Sequence, residues 1–191
     1  MDMVELIGED SVKEILSDFS CEYAEGLQNG EVEHFLRQNA IDFSRRKMSI
    51  TYLVIDDKDR VTGYFTLTHK PISVPADSLK SKAGIRKMQR HAKYDEALKA
   101  YSVSAFLIAQ FSKNYSIPSE ERISGTELMQ DALSVIEEIQ QMIGGGIVFL
   151  ESEDRHELLN FYTREPNLFI PFWERFSEKE RVKYIQLMRF V

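Results

Sequence analysis

The sequence predicts a mixed α+β (α/β-like) domain, a central sheet with helices on both faces, and three observations carry that prediction. Two apolar runs, Ser102–Phe111 and Ile147–Leu150, have the near-continuous hydrophobic character of central strands covered on both sides. Between them, the stretch beginning near Gly125 sets Leu128, Ala132, Val135, Ile136, Ile139 and Met142 on one face at the period of an amphipathic helix. Upstream, Ile50–Ile55 and Val61–Thr68 flank the polar turn Asp57-Lys58-Asp59 as the strands of a hairpin.

The remaining elements follow in order. Val12–Leu16 reads as a short helix ending near Phe19-Ser20-Cys21, and Val32, Phe35, Leu36, Ala40 and Phe43 recur at helical spacing from Glu31 to Phe43. Pro71 and Pro75 open a segment reaching Ala100 that reads as an insertion with at least one helix. That segment carries Lys80, Lys82, Arg86, Lys87, Arg90 and Lys93 with no acid among them, either a solvated helical face or a surface for a polyanion. Gly144-Gly145-Gly146 stops the long helix. Asp154 is expected to cap a helix over Arg155–Tyr162, and Pro166 to end it. Phe169–Phe172 and Tyr184–Val191 read as closing strands joined by the charged stretch Ser177–Arg181. Helices, an antiparallel hairpin and then β-α-β-α-β give the predicted layered sheet.

With 191 residues, 43% of them hydrophobic, the chain has material for one good core, so a single domain over 1–191 is expected. A net charge of −7 gives no global pull toward nucleic acid or anionic membrane. No apolar run approaches the roughly 20 residues of a membrane span. Met1–Leu6 lacks the basic and apolar blocks of a secretory signal, so a cytoplasmic location is expected. Cys21 is the sole cysteine, which rules out an intramolecular disulfide and fits a reducing compartment. With no histidine beside it, it reads as packing. His34, His69, His91 and His156 show no paired spacing, and no metal is expected.

The chemistry concentrates between the two central strands. In Glu120–Leu128, Gly125 lets backbone approach a ligand closely, while the first helical amides have no intrahelical partners. Those amides and the helix dipole favour an anion such as a pyrophosphate, and Arg122 adds a direct charge. Glycine at a helix start is also a common structural turn. The second strand–helix unit then ends in Asn160-Phe161-Tyr162, which sets a phenol beyond the loop. That order suggests a cofactor with a pyrophosphate and a reactive tail.

These residues resemble the GNAT superfamily of N-acetyltransferases. Arg122-Ile123-Ser124-Gly125-Thr126 resembles the first five positions of its Gln/Arg-x-x-Gly-x-Gly/Ala pyrophosphate loop. Glu127 stands where the family has a small residue and is expected to point away from the phosphates; the preceding loop, Asn114–Glu121, is longer than the family norm. Asn160-Phe161-Tyr162, followed by Phe169, is similar to the family's Asn-x-x-x-Phe-Tyr element in a compact form. Val61-Thr62-Gly63-Tyr64-Phe65 resembles its Val-x-Gly-Tyr/Phe strand. Asp18-Phe19-Ser20-Cys21 and the helix through Phe35-Leu36 resemble, more weakly, the branch that contains tRNA-acetylating toxins. The similarity covers roughly Phe19 to Phe172 apart from the basic insertion around 71–100.

The resemblance implies a mostly antiparallel sheet of six or seven strands, splayed at the cofactor cleft. It implies acetyl-CoA as co-substrate, with Gln110, Phe111 and Ser112 along the pantetheine arm. Arg122, Ile123, Ser124, Gly125 and Thr126 would lie at the pyrophosphate, with Asn160 also on the cofactor. Tyr162 becomes the general acid for the leaving thiolate. Glu151, Glu153 and His69, or water alone, stay open as the route by which the amine loses its proton. The acceptor would be a primary amine on a small molecule, a protein or an aminoacyl-tRNA, the last using Lys80–Lys93 as an RNA contact. The alternative is a catalytically silent module that binds a ligand or a partner. Phe169, Phe172, Trp173, Phe176, Tyr184 and Phe190 are read as sheet and core rather than as a stacking platform.

Overall fold

A computed structural model describes residues 2–24 and 27–191. Helices α1 (Met3–Ile7) and α2 (Glu9–Ser17) lead to a small antiparallel pair, β1 (Glu22–Ala24) and β2 (Leu27–Gln28). The predicted Glu31–Phe43 helix is α3 (Gly30–His34) and α4 (Ala40–Arg45), joined through a π-helical turn at Phe35–Asn39. The hairpin is β3 (Ile50–Ile55) and β4 (Val61–Pro75), followed by a 3₁₀ turn at Ala76–Ser78, α5 (Lys82–His91) and β5 (Lys93–Asp95). The long strand β6 (Ala100–Lys113), α6 (Gly125–Ile143), β7 (Ile147–Glu153), α7 (His156–Thr163), β8 (Ile170–Ser177) and β9 (Val182–Phe190) complete the chain.

The main sheet has the order β3-β4-β6-β7-β9-β8, with β5 paired to β6. The β6–β7 pair is parallel, and β3–β4, β5–β6, β7–β9 and β8–β9 are antiparallel. This is the mixed, mostly antiparallel architecture that the sequence implies.

Several boundaries differ from the sequence expectation. Pro71 and Pro75 do not open the basic insertion but lie in the last residues of β4, so the helical segment begins only at Ala76. Asp154 is not a cap: α7 starts from Arg155 with no side-chain cap, and Asp154 lies 3.2 Å from Lys183 instead. The apolar stripe of α6 is buried from Leu128 to Ile136, but Met142 is 77% exposed, because the helix outruns the surface it covers.

Contacts divide the chain into two compact units, and each has its own core. The first comprises Met1–Thr68 and Gln110–Ala132. Val12, Leu16, Phe19, Leu36, Ala40, Val61 and Tyr64 pack together there, with the Phe19 ring edge-on to Tyr64 at 5.3 Å. Burial pushes the Tyr64 phenol above its ordinary pKa, and the protonated hydroxyl donates to the Val32 carbonyl at 2.6 Å. Gly63 is where α6 presses on β4. A Cβ there would meet Leu128 at 3.0 Å and Ile123 at 3.3 Å, so the absence of a side chain permits this helix–strand approach.

The second unit comprises His69–Ala109 and Leu133–Val191. Met88 of α5 is fully buried among Val103, Ala105, Phe149, Phe172 and Met188. Phe106, pointing to the opposite face from its neighbours on β6, meets the backbone just past α6, where a Cβ on Gly145 would lie 2.8 Å from the ring. Gly145 has a φ of 106°, a conformation open to glycine. Helices thus cover both faces of the sheet in this unit.

Candidate active site

The first unit holds Gln110, Phe111 and Ser112 at the end of β6 and Arg122–Thr126 at the start of α6. One buried side chain organises what lies between them. Asn114, 5% exposed, donates from Nδ2 to the Val61 carbonyl at 2.8 Å. Its Oδ1 accepts the Ser20 amide at 3.0 Å, the Ser116 amide at 3.1 Å and the Ser116 hydroxyl at 2.8 Å. Its own amide donates to Thr62 at 2.8 Å, and the Tyr115 amide to Ser20 at 2.7 Å. The far end of the loop is held by Glu121, which lies 2.8 Å from Lys58 and 2.7 Å from Arg60 at the β3–β4 turn. The longer loop is therefore pinned at both ends.

Arg122 closes this loop from inside. Nε and Nη2 donate to the Ile117 carbonyl at 3.1 and 2.6 Å, Nη2 reaches Tyr115 at 3.3 Å, and the guanidinium lies 4.5 Å above the Tyr115 ring. Lys113 stands 5.5 Å over the same ring. Its pKa is held below the ordinary value by partial burial and by the nearby Arg122 charge. Two cations crowded on one ring make a place where an added anion relieves repulsion. Lys113 escaped the sequence reading, although a cation closing a strand just before the loop was a usable signal.

At the helix start the departure at Glu127 has a specific consequence. Ser124 and Glu127 form a reciprocal capping box: the Ser124 hydroxyl accepts the Glu127 amide at 3.1 Å, and the Glu127 carboxylate accepts the Ser124 amide at 3.0 Å. These bonds hold the carboxyl below its usual range. Glu127 folds back on the loop's own backbone, so the Gly125 and Thr126 amides, the first two of the helix, are the donors left for a phosphate.

At the end of β6, Ser112 Oγ donates to the Lys113 carbonyl at 3.0 Å and accepts from the Cys21 thiol at 3.2 Å. Burial pushes Cys21 up to about 11 from an ordinary 9.0, against the opposing pull of the Ser112 hydrogen bond. It is a packed thiol, as the sequence suggests. Because the folded-state value lies above the unfolded one, the stability from this group is whole below pH 9.0 and is lost as pH climbs toward about 11. At pH 8 the folded protein is expected to leave Cys21 unlabelled by a thiol-reactive disulfide dye, with full labelling in denaturant; rapid labelling of the folded form would contradict the burial.

The second unit holds the other predicted residues. Tyr162, 9% exposed near the end of α7, packs edge-on to Phe161 at 5.0 Å and Phe169 at 6.1 Å. Buried Asn167 fixes this helix end by donating to the Phe161 carbonyl at 2.8 Å. Asn160 lies 3.0 Å from the His156 ring one turn earlier. His69 Nδ1 is 2.9 Å from the Ser104 hydroxyl, with its ring edge against Phe106. Lys80, Lys82, Arg86, Lys87, Arg90 and Lys93 are all exposed.

This unit also contains a feature that no local sequence signal marks. The parallel pairing of β6 with β7 runs through Phe106–Val148 and Leu107–Phe149 and then stops, while β7 continues against β9 to Glu153. The strands splay, and a groove of about 460 Å³ opens there, lined by Lys70, Leu107, Phe149, Glu151 and Gln186 among others. Glu151 is bound bidentately by Arg175 and accepts from Gln186 at 3.1 Å. The tail aromatics divide: Phe169 and Phe172 are core as expected, but Trp173 and Phe176 are 54% and 55% exposed. Residues from β4, β6, β7 and β9 line the groove and β8 adds Arg175, so only the tertiary fold brings them together.

No protein-family model and no curated protein matches the sequence. Similarity appears in the structure. The AtaT toxin complexed with acetyl-methionyl-tRNAfMet superposes with a TM-score of 0.63 at 19% identity, over 92% of this chain and 86% of that one. AtaTR bound with acetyl-CoA gives 0.57 at 20% identity, over 92% and 86%. A tyrosine-to-phenylalanine variant of KacT gives 0.60 at 16% identity, over 92% and 86%. Likeness at these identities is one of fold, and it agrees with the GNAT-type fold that the sequence resemblance implies.

Proposed function

We propose that the chain is an acetyl-CoA-dependent N-acetyltransferase that moves the acetyl group directly onto a primary amine, with the amine of an aminoacyl-tRNA as the favoured acceptor. The observation that carries this reading is the splay of β6 from β7 after Leu107 and Phe149, which frees strand backbone for an extended thioester arm. Structures of similar fold, one bound to acetyl-CoA and one to an acetylated aminoacyl-tRNA, support it. The pyrophosphate is assigned to the Gly125 and Thr126 amides, backed by the charges of Lys113 and Arg122.

In the reaction, the free amine attacks the thioester carbonyl. A backbone amide near Gln110 or Phe111 steadies the oxyanion, a contribution on the order of 3 kcal/mol. The C–S bond then breaks, Tyr162 protonates the departing thiolate, and the proton that the nitrogen sheds passes through water to restore the phenol. A phenol with an ordinary pKa of about 10 is above a thiol of about 8.5, so its proton is lent only transiently. The oxygens of Glu151 are taken up by Arg175 and Gln186, so Glu151 is assigned to shaping the groove rather than to proton transfer.

Titration calorimetry with acetyl-CoA tests the cofactor: binding at micromolar concentration is expected, and no heat at high micromolar ligand would remove the reading. For the acceptor, reversing Lys87 and Arg90 to glutamate is expected to weaken RNA binding several-fold and to flatten its dependence on salt. Salt-independent transfer to a free amino acid would point to a small substrate. The seating of Glu127 on the Ser124 amide favours a second reading, a silent binding module. Acetyl-CoA binding without transfer to any amine in a broad panel would select it.

A further inference from the structure

We infer that Trp173 is a stacking platform for an unpaired base of a single-stranded RNA end, set at the rim of the groove between the splayed strands. The inference rests on the aminoacyl-RNA reading of the acceptor and names how that acceptor is held. Trp173 lies directly opposite Gln186 in the β8–β9 register, so its ring is on the same face of the sheet, one strand beyond the groove wall. It is 54% exposed, which is a cost for an indole unless a flat partner covers it.

Charge selects the partner. Helix α5 packs on this same face through Met88, against Phe149 and Met188, and Lys87 lies 5.6 Å above the Phe190 ring two residues along β9. Its outer surface shows Lys82, Arg86, Lys87 and Arg90, with Lys70 in the groove itself. Two carboxylates of these strands are matched: Glu151 is held by Arg175, and Glu174 lies 2.8 Å from Lys183. Exposed cations on a helix of this face, together with an exposed indole beside a groove, suit a single strand, whose phosphates meet the cations while a base stacks. The groove next to the stacked base then receives the amine that the strand carries.

The chain contains one tryptophan, so intrinsic fluorescence reads Trp173 alone. The full protein is titrated with a short fluorophore-labelled single-stranded RNA, with anisotropy reporting binding and indole emission reporting stacking. Saturable quenching that tracks binding is expected, and an abasic residue at the RNA terminus should abolish the quenching. Trp173→Leu should weaken RNA affinity about 10-fold, Trp173→Phe should restore most of it, and neither should change acetyl-CoA affinity. RNA binding with unchanged emission, or no RNA binding by protein that binds acetyl-CoA, would overturn the proposal. So would sedimentation showing a dimer that Trp173→Leu converts to a monomer, since the indole would then belong to a contact between copies. If acetyl-CoA fails to bind while RNA still quenches Trp173, the acetyl-transfer reading falls and the stacking site stands.

Discussion

Replacing Tyr162 by phenylalanine is expected to lower kcat by about 100-fold or more, the range of a lost general acid, while acetyl-CoA affinity changes less than about 2-fold. The split follows from what the substitution keeps. The ring that meets Phe161 and Phe169 edge-on is retained, so the end of α7 and its hydrogen bond from Phe169 to the Tyr162 carbonyl stay in place. What is lost is one proton donor, needed when the C–S bond breaks and not when the cofactor binds. Tyr162→Ala removes the ring as well and is expected to cost about 3 kcal/mol of stability, so it cannot separate the two roles. The measurement is steady-state transfer from acetyl-CoA to an aminoacyl-tRNA, paired with calorimetric affinity. If Tyr162→Phe loses affinity and turnover equally, the residue belongs to the architecture. An unchanged kcat would assign thiolate protonation to solvent.

The strands and helices that form the framework were legible because their signals are local. Ile50–Ile55 and Val61–Thr68 alternate around a polar turn, and Leu128 to Ile136 keep a helical period, so neither needs distant residues to be recognised. Where the reading failed, a nonlocal or competing effect had won. Pro71 and Pro75 look like punctuation, yet a strand tolerates proline wherever the ladder does not need that amide, and β4 runs through both. Trp173 was read as sheet and core as one of an aromatic-rich tail, a reading blind to register. The register shift between Pro171 and Trp173 brings Trp173 to the same face as Ile170, three residues away.

Glu127 teaches a different lesson. Ser124-Gly125-Thr126-Glu127, a serine followed three residues later by glutamate, is a capping-box signature in its own right. Measured against a phosphate loop it looked like a departure, although its local role was readable. Its bonds to Ser124 leave Gly125 and Thr126 as the amides of the proposed anion site, a pairing visible only in the folded loop. The splay and its groove were implied only by resemblance, since they depend on where pairing between β6 and β7 ends.

Asn114→Ala is expected to be the most damaging single substitution outside the apolar cores, at about 3 kcal/mol, or a fall in Tm of roughly 6–12 °C for a chain of this size. The alanine fills the space poorly, but the larger effect is electrostatic. The Val61 carbonyl loses its donor, and the Ser20 and Ser116 amides lose their acceptor, in a place where water has little access. Each orphaned buried group costs on the order of 1 kcal/mol. The damage should extend to binding, because the released segment is the one that carries Tyr115 and, through Ile117, seats Arg122. Acetyl-CoA affinity is therefore expected to fall several-fold even at temperatures where the variant is folded. Asn114→Asp separates the two halves of the network. It keeps the acceptor toward Ser20 and Ser116 but turns a carboxylate toward the Val61 carbonyl, so its deficit relative to the native protein should shrink as pH falls and the protonated acid can donate. Thermal melts of both variants from about pH 4, near the ordinary aspartate pKa of about 3.9, to about pH 8 check this. A loss under about 2 °C for Asn114→Ala, or a pH-independent deficit for Asn114→Asp, would mean that the loop is held by Glu121 and Arg122 and not by this side chain.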